Sequence, residues 1–364
     1  MKLDIVSPTE WGFFTLPRPC VIAGPCSAES LEQLMTTATD LRKIGINMFR
    51  AGVWKPRTHP GCFEGHGVPA LEWLQEVKKQ TGMKVSCEVA SAQHVFECVK
   101  HGIDMVWIGA RTTANPFLVQ EIAEALSGTD IPVLVKNPVN PDVDLWIGAF
   151  ERLNKCGVKK LGAIHRGVST YQKMKYRNDP AWEMAIELRS RVPELVIFAD
   201  PSHMAGSTEY IQELSQRALD LGFEGLMVES HCRPCEALSD AKQQLTPAQL
   251  LDMLEGSDCL VVRDNDTDNV SYRDNITQLR AKIDVIDDNL MSLLGQRMKL
   301  CQKIGQFKKD NNIAILQTGR WDEIIGRMTA AGQENGLDNE FVEDLFNRIH
   351  EESVSIQNTV LENK

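Results

Sequence analysis

The stretch VIFADPSH at 196–203 and its echo GLMVESH at 225–231 decide the fold. Each is a short apolar run closed abruptly by polar or charged residues, which is the pattern of a buried strand rather than a half-exposed one. Working outward, the same pattern recurs as CVIAGPCS (20–27), MFRAG (48–52), KVSCEV (84–89), MVWIGAR (105–111), VLVKNP (133–138) and KLGAIHRG (160–167). Helical patterns separate these runs, so the eight units predict an α/β fold closed as a (β/α)8 barrel. The active face of such a barrel lies at the carboxyl ends of its strands. The polar terminators Cys26, Arg50, Glu88, Arg111, Lys136, Arg166, His203 and Glu229 are therefore expected to converge on one mouth.

A chain of 364 residues suits such a barrel and one further domain. The barrel is expected over 1–262. The acid-rich RDNDTDN, 263–269, carries no apolar periodicity, and 263–272 reads as a linker. Strand signals then stop. Helical patterns near 273–309, 319–332 and 338–361 predict a small all-α, three-helix domain over 273–364. A net charge of -11 leaves no excess of Lys and Arg to displace counterions, which argues against a nucleic-acid partner. The opening residues lack a basic region followed by an apolar run, and no membrane-length apolar stretch occurs. A soluble, cytoplasmic protein is expected. Of its ten cysteines, Cys20, Cys87 and Cys98 fall in apolar runs and read as buried thiols in a reducing compartment. The CxxC of Cys232 and Cys235 has no second pair and reads as incidental.

Cys26, His203, Glu229 and Asp240 offer a thiolate, an imidazole and two carboxylates, a complete mixed ligand set for a divalent transition metal. Taken singly, each could be an ordinary core thiol or solvated side chain. Arg50, Lys55, Arg57, Arg111, Lys136 and Arg166 supply cations at strand ends or in the loops beyond, in a chain that is acidic overall. Such a cluster suits anionic substrates with more than one phosphate, unless these residues are paired with the abundant acids.

At these residues the chain resembles the 3-deoxy-D-arabino-heptulosonate 7-phosphate (DAHP) synthase family, in its short type I form. GPCS at 24–27, KPRT at 55–58, IGAR at 108–111, DPSH at 200–203, and ESH followed by LSDAKQQL over 229–245 occur in the family's order. The sequence departs from the commoner pattern in FRAG, KPRTHP, LVKNP and IHRG. The resemblance implies condensation of phosphoenolpyruvate with erythrose 4-phosphate, with Cys26, His203, Glu229 and Asp240 holding a divalent metal, manganese first. It further implies that Lys55, Pro56, Arg57 and Thr58 hold erythrose 4-phosphate, that Arg111, Lys136 and Arg166 hold phosphoenolpyruvate, and that Lys55 assists proton transfer. Arg50 joins this substrate-binding set. A related 3-deoxy-octulosonate phosphate synthase is the rival reading of the barrel.

In the terminal part, Ile276, Leu279, Ile283, Ile286, Leu290 and Leu293 keep a heptad spacing that continues through Leu300, Ile304 and Phe307. Arg297 interrupts this seam, Lys308 returns to nearly the same face, and Ser353 and Gln357 are four apart on the last helix. A polar pocket on an apolar seam is the sharper reading, and satisfied core polar groups the alternative. Through LRAKIDVIDDNLMSLLGQRMKLCQKIGQFK and EESVSIQ this part resembles the all-helical chorismate mutases. That implies substrate contacts from Arg280, Arg297, Lys308, Arg320, Ser353 and Gln357, with Lys308 and Gln357 catalytic at the breaking ether oxygen. Gln317 and Trp321 stand where the family has acidic contacts. Arg280 and Arg297, 17 residues apart, are separated by about 25 Å of straight helix and cannot grip one small dianion together. The resemblance implies an intertwined homodimer in which Arg280 serves the partner's pocket. Fusion of two activities suggests feedback by prephenate or chorismate, while a purely regulatory or dimerising helical domain is the alternative.

Overall fold

The computed structural model describes residues 2–12, 19–55, 61–171, 174–263, 269–315 and 318–362, with only the backbone of 270 and 318–320. It divides into two compact units, Met1–Asn265 and Asp266–Lys364.

The first unit is a closed barrel of eight parallel strands in sequential order. They are β1 (Cys20–Gly24), β2 (Met48–Arg50), β3 (Lys84–Val89), β4 (Met105–Ile108), β5 (Val133–Lys136), β6 (Leu161–His165), β7 (Val196–Ala199) and β8 (Gly225–Glu229). All eight coincide with the apolar runs read in the sequence. Closure comes from β1, which pairs with β2 on one side and with β8 on the other, Gly24 lying opposite Glu229. The helices of this unit are α1 (Leu31–Lys43), α2 (Val68–Thr81), α3 (Ala92–Lys100), α4 (Ala110–Thr113), α5 (Pro116–Leu126), α6 (Val143–Lys155), α7 (Trp182–Arg191), α8 (Pro201–Ala205), α9 (Ile211–Asp220) and α10 (Pro247–Glu255). Several start where a side chain caps the first turn: Ser30 accepts from Gln33 N–H, Asp142 from Leu145 N–H, and Thr246 forms a capping box with Gln249.

Side-chain alternation along the strands builds two cores. One set, including Ile22, Trp107, Leu134, Ile164 and Phe198, packs with Trp11 and draws on none of these helices, so it fills the barrel. The other set, including Phe49, Val85, Ile108 and Ile197, joins the helical residues in the outer layer. Gly24 permits the barrel's tightest approach. Its φ is +150°, and a Cβ there would lie 2.1 Å from the Arg50 carbonyl oxygen.

The second unit contains α11 (Val270–Asp310), α12 (Thr318–Glu334) and α13 (Asn339–Glu362), matching the expected three helices. At 41 residues α11 is roughly 60 Å long, whereas α13 has 24 residues. The expected apolar seam is not buried within this chain. Leu279, Ile283, Ile286, Leu290 and Leu293 are all more than half exposed, as are Leu300 and Phe307. The face turned to α13 is instead the one carrying Arg297, Cys301 and Gly305, where Arg297 reaches Ser353 and a Cβ on Gly305 would touch Gln357.

The described cysteines are all free. Cys87 and Cys98 are buried as expected, but Cys20 is only half-buried because it opens β1 at the barrel's lower rim. Among the described residues no helix is long and apolar enough to cross a membrane.

Candidate active site

Because every strand runs the same way, their carboxyl ends share one face. There a cavity of about 420 Å³ opens, with Lys55, Glu88, Arg111, Lys136, Arg166 and His203 in its wall. Sequence reading placed all of these at strand ends or just beyond, and the parallel closure brings them together.

On one side of this mouth lie four donor groups. The donor atoms of Cys26, Glu229 and Asp240 are within 4.8 Å of one another. Cys26 Sγ is 3.3 Å from Asp240 Oδ2, and His203 Nε2 is 3.6 Å from Glu229 Oε1. Each donor has a distinct support. Cys26 follows β1 and its N–H is held by Gln244 Oε1 at 2.9 Å. Glu229 ends β8. His203 sits on α8, whose N-cap Asp200 bonds both the His203 N–H and, at 2.9 Å, the ring Nδ1, turning Nε2 toward Glu229. Asp240 stands in a left-handed conformation, φ +46°, and is gripped by Arg177 Nη1 at 3.0 Å.

A divalent transition metal fits this set on chemical grounds. Thiolate, imidazole and carboxylates are its usual ligands, and the carboxylate–imidazole contact of Asp200 with His203 is the common outer support of a metal-bound histidine. Glu229 Oε1 is fully buried, with the ion-pair contacts of Arg50 Nη2 at 3.2 Å and His203 Nε2 at 3.6 Å in place of a well-aligned hydrogen bond. Burial, together with Glu229 and Asp240, pushes the bare Cys26 thiol up to about 12. Lys55 Nζ lies 3.1 Å from Cys26 Sγ; burial would lower its pKa, but Cys26, Glu229 and Glu88 outweigh that and raise it.

The rest of the mouth is cationic. Arg50, wholly buried, meets Glu229 at 3.2 Å and lies over the Trp107 ring at 5.0 Å, yet its Nε and Nη1 make no hydrogen bond within the described residues. Lys136 is paired with buried Asp200 at 2.7 Å. Burial, with Arg177 and Arg111 nearby, lowers the pKa of Arg166, although Asp200 and Asp240 oppose that shift. Pro56, Arg57 and Thr58 lie outside the described residues.

Sequence reasoning assigned nothing to Arg177, Asp200, Gln243 or Gln244. Asp200 carried a signal, being an N-cap one residue before a proline within DPSH. Arg177 carried none, since it reaches the mouth from an irregular loop by wrapping over Gly206, where a Cβ would lie 2.4 Å from its own.

In the helical unit, Arg297 donates to Ser353 Oγ, and Gln357 is buried with Oε1 unpartnered. Lys308 Nζ donates to the Ile315 carbonyl at the turn toward α12. Arg280 is exposed, far along α11 from Arg297. The side chain of Arg320, and Gln317 altogether, lie outside the described residues; Trp321 stacks on His350 at 4.1 Å.

Comparison with known proteins agrees with both units. A Thermotoga maritima phospho-2-dehydro-3-deoxyheptonate aldolase is 34% identical over 234 residues, covering 64% of this chain and 66% of that protein. Its crystal structure superposes with a TM-score of 0.59 at 33% identity over the same shares of each chain. A 2-dehydro-3-deoxyphosphooctonate aldolase of Helicobacter pylori is 29% identical over 272 residues, covering 64% of this chain and 92% of that one. This chain thus spans just under two thirds of its Thermotoga relative. The chorismate mutase type II model matches residues 279–358, which lie in the helical unit. The DAHP synthetase I model matches residues 17–262, the whole strand-bearing part of the barrel, and the chain belongs to that family.

Proposed function

We propose that the barrel condenses phosphoenolpyruvate with erythrose 4-phosphate to DAHP and phosphate, using a divalent metal, manganese first. The observation that carries this reading is one cavity with His203 and Asp240 in its wall, the metal-type donors Cys26 and Glu229 directly against them, and Lys55, Arg111, Lys136 and Arg166 across from them. Arg111, Lys136 and Arg166 hold the phosphate and carboxylate of phosphoenolpyruvate, with Arg50 offering its two unused N–H groups to the same anion. Lys55, with Pro56, Arg57 and Thr58, holds erythrose 4-phosphate. Lys55 is also placed to move a proton at the aldehyde oxygen. A metal held by Cys26, His203, Glu229 and Asp240 supplies Lewis-acid stabilisation of the charge that develops there.

The test is phosphoenolpyruvate consumption by chelated protein, before and after manganese is restored, with erythrose 4-phosphate or arabinose 5-phosphate as aldehyde. Metal-dependent turnover with the four-carbon sugar alone supports the reading. The Helicobacter relative favours one rival, a 3-deoxy-octulosonate phosphate synthase, which preference for arabinose 5-phosphate would select.

For the helical unit, 273–364 beyond a linker at 263–272, we propose rearrangement of chorismate to prephenate. Arg297, Ser353, Lys308 and Gln357 form the core of its pocket, with Arg320 and Arg280 also touching substrate. Gln357 and Lys308 stabilise the ether oxygen as its bond breaks, which needs neither nucleophile nor metal. The exposed apolar face of α11 supports a homodimer, with Arg280 serving the partner's pocket. Mixed dimers of Arg280→Ala and Arg297→Ala should recover mutase activity that either variant alone lacks. Prephenate or chorismate bound here is proposed to slow the barrel, in a cytoplasmic enzyme; unchanged synthase kinetics at saturating prephenate would end that idea. Chorismate turnover separates this reading from a purely regulatory module.

A further inference from the structure

Two of the four donors, Cys26 and Asp240, lie on loops 214 residues apart in sequence. A chain of hydrogen bonds joins the residues beside them. Ser27, next to Cys26, donates its hydroxyl proton to Glu29 Oε1 at 3.1 Å. The Ser27 oxygen is then left to accept from the hydroxyl of Ser239, next to Asp240. The same Glu29 oxygen accepts the Leu238 N–H at 2.9 Å. The other oxygen faces the buried His231 ring, whose Nε2 is 3.6 Å away. His231 Nδ1 accepts the Arg233 N–H at 2.9 Å, so the ring proton is on Nε2 and points at Glu29. One carboxylate therefore ties the loop after β8 to the loop after β1 through the Leu238 N–H and, by way of Ser27, through Ser239, with the His231 ring facing its other oxygen. Asp240 stands in the left-handed region, φ +46°, which an aspartate adopts less readily than glycine, and the tie helps to hold it there. Glu29 itself is not in the cavity wall.

We propose that Glu29 is a positioning residue: by locking Leu238 and Ser239 to Ser27, it fixes the spacing of Asp240 and Cys26 and so sets the affinity of the four-donor site for a divalent transition ion. This rests on the metal-site reading above. Outer groups that hold metal ligands in place commonly account for about 10–100-fold in affinity.

The experiment titrates the full metal-free chain with cobalt(II), following the thiolate-to-metal absorbance and the heat of binding, alongside thermal melting of the metal-free protein. Wild type should develop the thiolate band and Cys26→Ser should not. Glu29→Ala should raise the cobalt Kd by about 10–100-fold, regain the band at saturating cobalt, and melt metal-free like wild type. Glu29→Gln keeps an oxygen for Ser27 and Leu238 and should recover most of the affinity. An unchanged Kd in Glu29→Ala overturns the proposal, and so does a lowered melting temperature with affinity intact. Should Glu29→Ala fail to fold, Ser239→Ala removes only the hydroxyl link and is read by the same Kd criterion. If Cys26→Ser binds cobalt as wild type does, the metal-site reading itself falls, and this proposal with it.

Discussion

Lowering the pH from about 7.5 to about 5 should destabilise the barrel by roughly 2 kcal/mol through one side chain, His165. Its ring lies wholly buried beside Trp146, Trp182 and Phe223, donates from Nε2 to the Pro180 carbonyl, and leaves Nδ1 unpartnered. A second proton would have to enter that apolar site, so burial pushes the pKa down from 6.5 to about 4, with Arg166 adding to the shift. As pH falls through 6.5 the unfolded chain takes up the proton while the folded chain does not. Stability is therefore lost from there downward, and the loss is complete below the folded value. Holding the pKa at about 4 rather than 6.5 corresponds to roughly 3.4 kcal/mol in full, of which about 2 have been lost by about pH 5. The assay is urea unfolding by tryptophan fluorescence at the two pH values, for wild type and for His165→Gln. Other imidazoles affect both proteins alike, so the difference between the two pH dependences isolates His165. The variant should be less pH-sensitive by about 2 kcal/mol. Equal pH dependence of the two would refute the argument that this imidazole is held neutral.

Lys136→Met should destabilise the barrel by about 3–5 kcal/mol by stranding the buried Asp200 carboxylate, and should abolish synthase turnover; denaturant midpoints and phosphoenolpyruvate consumption check both. Gly162→Ala should cost about 1–3 kcal/mol with kinetic constants near wild type, because the added methyl would lie 2.7 Å from Leu134 and Val196 inside the barrel, well below the site. Arg297→Ala should remove chorismate turnover while sparing DAHP formation in the same preparation, since it frees Ser353 in the helical unit alone.

The barrel was legible because a strand covered on both faces writes itself as an unbroken apolar run, and all eight runs end where the chain must meet water or ligand. His203, Glu229 and Cys26 could be singled out for that reason. Arg177 could not, because it comes from a loop whose path is set by contacts with Gly206 and Asp240 that have no period along the chain. Glu29 was hidden differently. An acid one turn into a βα loop looks solvated, and only the folded structure shows its oxygen shared by Ser27 and Leu238. In the helices the heptad was read correctly as an apolar stripe, but sequence periodicity cannot say whether a stripe is covered by its own chain. Here α13 covers the Arg297 face and leaves the leucines bare.

The pairing of Gly24 with Glu229 joins the first strand of the barrel to the last. Cys26 emerges early from the ribosome, Asp240 more than two hundred residues later, and β8 must dock on β1 before the two can meet. A fragment that stops before the final strand lacks both carboxylates of the donor set, Glu229 and Asp240. The four-donor cluster is therefore a late product of folding, complete only once β8 has docked on β1 and the loop beyond it has brought Asp240 to Cys26.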